Sequence, residues 1–288
     1  MKKAVEHSLS VAVAAALLLG CQPVANENGR DERSSALASS HAVAASPRGV
    51  LEPYELGKLA AALLARHSSN QAFDPALACF PLASPEGTPY CLSLANVAMV
   101  SEDGRELLYV LATNVTPADS DIYQYGHASA GLVRAFAAEL RADGRLGQDV
   151  AAMPGALFGS NGSTGAEDAT LLRIGANQHA WYFVSGGVWQ GIASTQHVLL
   201  ARQGAAFVNV STIPEFEESD QSHRYDIAVD GTDPARERFP LIVSKSTVDM
   251  NSLTPDATAE LLQQWTVERD AATGLYRMPN ESEKESMP

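Results

Sequence analysis

The sequence has few cations for its number of acidic residues. Its 288 residues include 20 Lys and Arg against 34 Asp and Glu, which gives a formal net charge of -14 at pH 7. A surface of this sign repels nucleic-acid backbones and anionic lipid headgroups. We therefore exclude nucleic acid as a partner and expect no charge-driven binding to membranes. A basic protein would be attracted, although acidity can also serve solubility alone.

Long apolar runs are scarce as well. The run at Val11–Leu19 is too short to cross a bilayer as a helix with any margin. It follows Lys2 and Lys3 and precedes Gly20-Cys21. A positive start, a short apolar segment and a small residue before the cut are typical of an export signal.

The four residues Leu18-Leu19-Gly20-Cys21 resemble the lipobox of bacterial prolipoproteins. The resemblance implies that residues 1–20 are removed as a signal peptide and that Cys21 carries a diacylglycerol and an acylated amino end, with chains such as palmitate. Gln22 follows in place of an aspartate, which in this class favours the outer membrane of a Gram-negative cell. Loss of Lys2, Lys3 and Glu6 would leave 18 cations and 33 acidic residues, a net charge of -15. An ordinary secretory signal with a chance cysteine is the alternative.

Cysteine is rare, and only Cys79 and Cys91 remain beside Cys21. In the oxidising periplasm that the resemblance implies, an even pair predicts a disulfide. The loop it closes is short and rich in proline, and on the chain-entropy model the bond stabilises the fold by roughly 3 kcal/mol. A metal or redox pair is the alternative, but no histidine lies nearby and the cysteines lack the two-residue spacing of such sites.

Composition shifts divide the chain into six segments. A signal peptide (1–20) is followed by a disordered tether that begins with the lipidated cysteine (21–50) and by a helix plus β lobe with the disulfide (51–152). A glycine-rich linker (153–168) then leads to a second β lobe (169–279) and a charged tail (280–288). The tether is rich in Ala, Ser and Asn and shows no apolar period. Apolar residues at helical spacing predict the leading helix at Leu51–His67.

Strand-like segments joined by short turns dominate both lobes. Asp103-Gly104 and Asp143-Gly144 each stand between apolar segments, as in β-hairpins. Leu132–Leu140 has a helix-forming composition, but the repeated turn chemistry favours a strand. Thr254–Gln264 predicts a short late helix, with a capping threonine before Pro255. The predicted fold is mainly β, with antiparallel hairpins in a sandwich-like arrangement, a leading α-helix and a short late helix; a small propeller or barrel is the alternative.

No catalytic or cofactor signature is complete. A nucleophile elbow around Ser129 would need glycine at the position of His127. The glycine-rich segment 159–165 lacks the Gly-Lys-Ser/Thr of a phosphate-binding loop. No histidine pair has helical metal-ligand spacing, although His179 and His197 flank one strand region and could approach each other in a hairpin. We predict no cofactor, metal or catalytic residue, which favours a non-enzymatic protein.

Two groups of residues are candidates for binding. The acidic candidates are Glu215, Glu217, Glu218 and Asp220. The aromatic candidates are Trp181, Tyr182 and Trp189. The acidic run suits a basic partner, Ca²⁺ or plain solvation. The aromatic residues suit a glycan-stacking platform or a protein-binding patch, but strand alternation also requires that one of their faces be core.

Together these features predict a lipid-anchored cell-envelope protein at the outer membrane, facing the periplasm. We expect a protein-binding role, such as inhibition of, or immunity to, a basic wall-degrading enzyme. Binding of peptidoglycan or another glycan is one alternative. An unrecognised hydrolase is another, because catalytic triads are defined by geometry and not by sequence spacing.

Overall fold

A computed structural model of the protein describes residues 52–68, 71–83, 87–116, 123–248 and 260–280. All of them belong to one unit that spans residues 41–288. The predicted signal peptide, Cys21, the tether and the charged tail beyond Asn280 lie outside the described residues. Within the described ranges no helix has both the length and the apolar character needed to cross a membrane.

The first element is helix α1, Pro53–Arg66. Pro53 begins it, where the missing N–H costs nothing because first-turn donors have no intrahelical acceptor. Ala60, Leu63 and Leu64 share one face and are buried. The leading helix predicted from apolar spacing is therefore confirmed.

Thirteen strands follow in the part of the chain that the structure describes. They are β1 (Phe80–Ala83), β2 (Pro89–Glu102), β3 (Arg105–Asn114), β4 (Gly131–Leu140), β5 (Leu146–Phe158), β6 (Thr170–Gly175), β7 (Gln178–Trp189), β8 (Ile192–Gln203), β9 (Ala206–Asn209), β10 (Pro214–Phe216), β11 (His223–Val229), β12 (Leu241–Thr247) and β13 (Leu261–Val267). A single turn of 3-10 helix, Ala166–Asp168, stands between β5 and β6.

The strands form three antiparallel sheets. The first has the order β1-β2-β3-β4-β5, the second β10-β8-β7-β6 with β9 also paired to β8, and the third β11-β12-β13. Both predicted hairpins are present, because Glu102 pairs with Arg105 around Asp103-Gly104 and β4 pairs with β5. The mainly β, antiparallel prediction is confirmed, including the choice of a strand for β4.

Helix α1 and the three sheets pack as successive layers. Helix α1 lies on one face of the first sheet, against Leu108 and Phe136. The other face of that sheet packs on the second sheet, where Tyr109 meets the core around Trp181. The far face of the second sheet packs on the third, with Leu199 in the same core as Trp265. Neighbouring residues of a strand thus enter different cores, as the pleat requires.

Cys79 and Cys91 form the predicted disulfide. Their Cα atoms are 5.4 Å apart, inside the usual range for such bonds. Both cysteines are fully buried, and the bond joins the residue before β1 to strand β2. It closes a loop that contains β1 and the first residues of β2.

The predicted linker at 153–168 differs from the structure. Strand β5 continues through Phe158, and Met153 belongs to the same core as Tyr109 and Trp181. The breakers Pro154 and Gly155 are tolerated because β5 is an edge strand and its pairing with β4 shifts register at this point, as at a β-bulge. Residues on both sides of the predicted linker therefore share one core.

The predicted late helix also differs where it can be compared. Residues 254–259 lie outside the described part, but Leu261–Gln264 begin strand β13. Trp265 and Val267 are buried while Thr266 between them is exposed. This alternation of period two is the pattern of a strand that covers a core, so the last four residues of the predicted helix belong to a strand.

Candidate functional site

The hairpin β7–β8 ends in an exposed apolar tip. Val188, Trp189 and Ile192 are 52%, 39% and 43% exposed. Gln190 and Gly191 between them both have positive φ, as the favoured two-residue hairpin turn requires. The His127 ring packs edge-on against Trp189, with centroids 4.9 Å apart. These apolar side chains lie where their own sheet cannot cover them.

The acidic run lies beside this tip because short β10 pairs with β8. The Gln221 amide accepts a hydrogen bond from Ala193 N at 2.7 Å and donates to the carbonyl oxygens of Ala193 and Glu217 at 2.8 and 2.6 Å. Glu215 Oε2 accepts from Thr195 Oγ1 at 3.0 Å. The backbone that carries the glutamates is thus fixed against the first residues of β8.

We call this combined region the tip surface. Its members are Val188, Trp189, Ile192, Glu215, Glu217 and Glu218. It joins one predicted aromatic residue to three of the four predicted acidic ones. Glu218 is exposed, whereas Glu215 and Glu217 are half-buried.

The other predicted binding residues have different surroundings. Trp181 is fully buried in the core between the first and second sheets, so its ring is not available for stacking. Tyr182 is half-buried against the third sheet, and burial raises its pKa to about 12. Asp220 accepts from Ser222, His223 and Lys245, and these hydrogen bonds hold its pKa well below the usual range.

His179 and His197 do not approach each other. The pairing aligns His197 with Val184, five residues from His179, which places the two imidazoles on opposite faces of the second sheet. His197 Nε2 lies 2.7 Å from the carbonyl oxygen of Tyr225, which can only accept, so Nδ1 accepts from the Tyr182 hydroxyl at 3.0 Å. Burial lowers the pKa of His197. This imidazole is neutral with both nitrogens satisfied.

Glu102 is the centre of a buried polar cluster. Its carboxylate is 1% exposed and accepts from Tyr109 Oη at 2.9 Å, His179 Nδ1 at 2.9 Å and Arg202 Nη2 at 2.8 Å. Burial alone would raise the pKa of Glu102, but the hydrogen bonds from His179, Arg202 and Tyr109 together lower it. Burial and the neighbouring carboxylate raise the pKa of Tyr109. The cluster ties the first sheet to the second.

Arg202 also lines a cavity of about 420 Å³. We call it the arginine cleft; its lining residues are Gln178, Arg202, Gln203, Arg238, Arg269 and the turn 271–274. Sequence reasoning missed this site because the three arginines are far apart in the chain and have no periodic spacing. The acidic composition also pointed away from a cationic site.

The remaining candidates are the Ser129 region, considered as a nucleophile, and possible metal ligands. His127 Nδ1 lies 3.1 Å from Asn161 Oδ1, and no hydrogen bond among the described residues links Ser129 to a histidine. In the same ranges, no three His, Cys, Asp or Glu side chains are close enough together to hold a metal ion.

No protein-family model matches the chain, and neither a curated protein nor a solved structure matches it.

Proposed function

We propose that the protein is a lipid-anchored binding protein of the cell envelope and that its tip surface binds a basic protein. In this proposal Cys21 carries the lipid at the outer membrane and the β domain faces the periplasm. One observation carries the binding role: Val188, Trp189 and Ile192 are exposed at the end of the β7–β8 hairpin, and the segment with the glutamates is hydrogen-bonded to the first residues of β8.

This arrangement has the composition of a protein-binding surface. Tryptophan is among the residues that most often dominate binding energy, and a charged rim around an apolar centre selects the partner and speeds its arrival. The glutamates and the net charge of -15 after cleavage favour a cationic partner. A basic enzyme that degrades the cell wall has this charge and acts in the same compartment.

Binding is tested with the full chain in detergent and a basic lysozyme as the probe. We expect Trp189→Ala to weaken binding by about 2 kcal/mol, roughly 30-fold, as for a central aromatic anchor. Tyr54→Ala is the matched control, because Tyr54 is 50% exposed on helix α1. Glu218→Gln should reduce the association rate more than the control Asp143→Asn.

Salt provides the second readout, since charge-steered association slows as ionic strength rises. Binding that is equally strong in Trp189→Ala, or whose association rate does not change between low and high salt, would refute the tip surface as the binding site. If the basic lysozyme does not bind to the wild-type chain at all, lysozymes are excluded as the partner.

The anchor is tested separately by growth with radiolabelled palmitate. We expect label in the wild-type chain and none in Cys21→Ser, because the thiol is the proposed acceptor of the lipid. Wild-type protein without label, or a labelled Cys21→Ser variant, would contradict the anchor and leave the tip surface to be judged by its own experiment.

A glycan is the second candidate ligand, because Trp189 is the one exposed tryptophan among the three in the chain. Its ring could stack on a sugar face, and its emission would report the contact. Titration with peptidoglycan fragments tests this: an unchanged spectrum at about millimolar ligand, an affinity weaker than roughly 4 kcal/mol, would exclude it.

A further inference from the structure

Three separate segments meet at the arginine cleft: the end of β8, the loop between β11 and β12, and the turn after β13. They contribute Arg202, Arg238 and Arg269 to the wall of one cavity. None of the nine residues that line it is acidic, in a chain with 34 acidic residues and 20 Lys and Arg. Gln178, Arg202 and Arg238 also line an adjoining cavity that includes Glu102, Asp103 and Glu237, so the carboxylates of this region lie outside the cleft itself.

The nearby carboxylates do not balance these three guanidinium groups. Arg202 pairs with Glu102, which also accepts hydrogen bonds from His179 and Tyr109. Among the described residues Arg238 pairs with Glu237 alone, at 3.6 Å from Nε, and that side chain is 88% exposed, where an ion pair contributes little. Arg269 has no carboxylate within 4.0 Å among the described residues.

Arg269 is the most unusual of the three because it is only 9% exposed. Its Nε donates to the Gly274 carbonyl at 2.6 Å and its Nη1 to Gln178 Oε1 at 3.0 Å, and both acceptors are neutral. Burial and the charge of Arg238 lower the pKa of Arg269, and the charge of Glu237 only partly offsets them. A buried cation without a carboxylate paired to it is costly, and an anion in the adjoining cavity would relieve that cost.

We propose that the arginine cleft binds a small oxyanion with two or more negative charges, bearing carboxylate or phosphate groups, between Arg238 and Arg269. The guanidinium fork matches both groups, because each presents paired oxygens to its parallel N–H donors. A cavity of about 420 Å³ suits a small molecule and not a single halide ion. Arg202 adds charge from the wall, held in place by Glu102.

The test is isothermal titration calorimetry on the full chain in detergent, at pH 7 and constant ionic strength. Citrate is the carboxylate probe and pyrophosphate is the phosphate probe. We expect saturable binding of one anion per chain, weakened about tenfold or more in Arg238→Gln because a charge-assisted contact is lost. Arg145→Gln is the matched control, because its side chain is 83% exposed at the β4–β5 turn and it removes the same charge.

Arg269→Gln provides a second measurement that does not depend on Arg238. If Arg269 binds the anion, this variant loses the rise in melting temperature that the anion gives to the wild-type chain. If Arg269 only supports the turn, the variant melts lower but keeps the full rise, which would refute its role in binding.

Binding of citrate alone, pyrophosphate alone, or both supports the site and identifies the preferred group. No binding of either probe up to about 10 mM, or equal weakening in Arg238→Gln and Arg145→Gln, would overturn the proposal. Trp189→Ala should leave anion binding unchanged, so failure of this site and failure of the tip surface are distinguishable.

Discussion

Replacing Glu102 by Gln removes one buried charge with almost no change in shape. Glu102 Oε1 accepts hydrogen bonds from His179 and Tyr109, whereas Oε2 accepts hydrogen bonds from Nε and Nη2 of Arg202 at 3.2 and 2.8 Å. A glutamine can keep its carbonyl toward His179 and Tyr109, but its amide then faces the guanidinium with donor against donor. Arg202 loses both its hydrogen bonds to this side chain and its counter-charge.

The expected loss of stability follows from burial. Breaking a buried ion pair by removing one partner costs about 3–5 kcal/mol. The Glu102 side chain is 1% exposed and that of Arg202 is 17% exposed, so water reaches only the arginine. We therefore expect the lower end, about 3 kcal/mol, which is a large part of the 5–15 kcal/mol typical of a folded domain.

Urea unfolding at pH 7, followed by tryptophan emission, measures this change, since Trp181 and Trp265 are both buried. Asp103→Asn is the matched control: it removes the same charge one residue away, at an exposed turn position with positive φ that Asn tolerates. The control should stay within about 0.5 kcal/mol of wild type. A Glu102→Gln loss below about 1 kcal/mol, or equal to that of the control, would refute the assigned role of this cluster.

Acid gives an independent check on the same group. The pKa of Glu102 lies below its ordinary value of 4.5, so its contribution is complete above about pH 4.5 and is lost as pH falls through the lowered pKa. The stability difference between wild type and Glu102→Gln should therefore narrow only in acid. A difference that stays constant down to the lowest pH at which the chain folds would contradict this.

Three further predictions concern other parts of the fold. Replacing Cys79 and Cys91 together by Ser should lower the free energy of unfolding by roughly 3 kcal/mol in urea titrations; a reducing agent should cause the same loss in wild type and none in the variant. Gly165→Ala should cost about 1–3 kcal/mol more than Gly144→Ala, because both residues have positive φ but only at Gly165 would a Cβ overlap the Val184 carbonyl; equal melting temperatures would refute this. Because the pKa of buried His197 is lowered in the folded chain, this side chain takes up a proton at a higher pH when the chain is unfolded. Wild type should therefore lose stability as pH falls below about 6.5. His197→Gln should reduce that loss between pH 7.5 and 5.5, and His67, whose pKa is also lowered, accounts for a remaining slope.

Local features of the fold could be predicted because they depend on a few neighbouring residues. Pro53 and the leucine stripe after it define helix α1, and Asp103-Gly104 defines a hairpin. The disulfide followed from the count of cysteines. These signals act within a few residues of the chain, so they could be recognised without knowing how the sheets pack.

The order of the layers could not be predicted from the sequence. Strand β3 is buried on both faces from Glu106 to Asn114, so its apolar pattern does not tell which residues face helix α1 and which face the second sheet. Pro154 and Gly155 predict a break, and only the register shift of an edge strand explains why β5 continues through them. These outcomes depend on contacts between segments far apart in the chain.

The candidate sites show the same limit. Exposed Trp189 follows from its place beside the Gln190-Gly191 turn, which the sequence displays. The position of the acidic segment along the same hairpin depends on the short pairing of β10 with β8 and on the Gln221 side chain. The arginine cleft depends on three segments that share no motif.

The position of the second sheet has a consequence for how the protein unfolds. Val198 and Leu200 of β8 face one core, while Leu199 and Ala201 face the next. Separation of either neighbouring sheet would therefore expose one side of this strand to water while its other side remained packed. Because this strand belongs to both of these cores, the loss of one should destabilise the other, so the second and third sheets should unfold together and a cut within the strand should disrupt both cores.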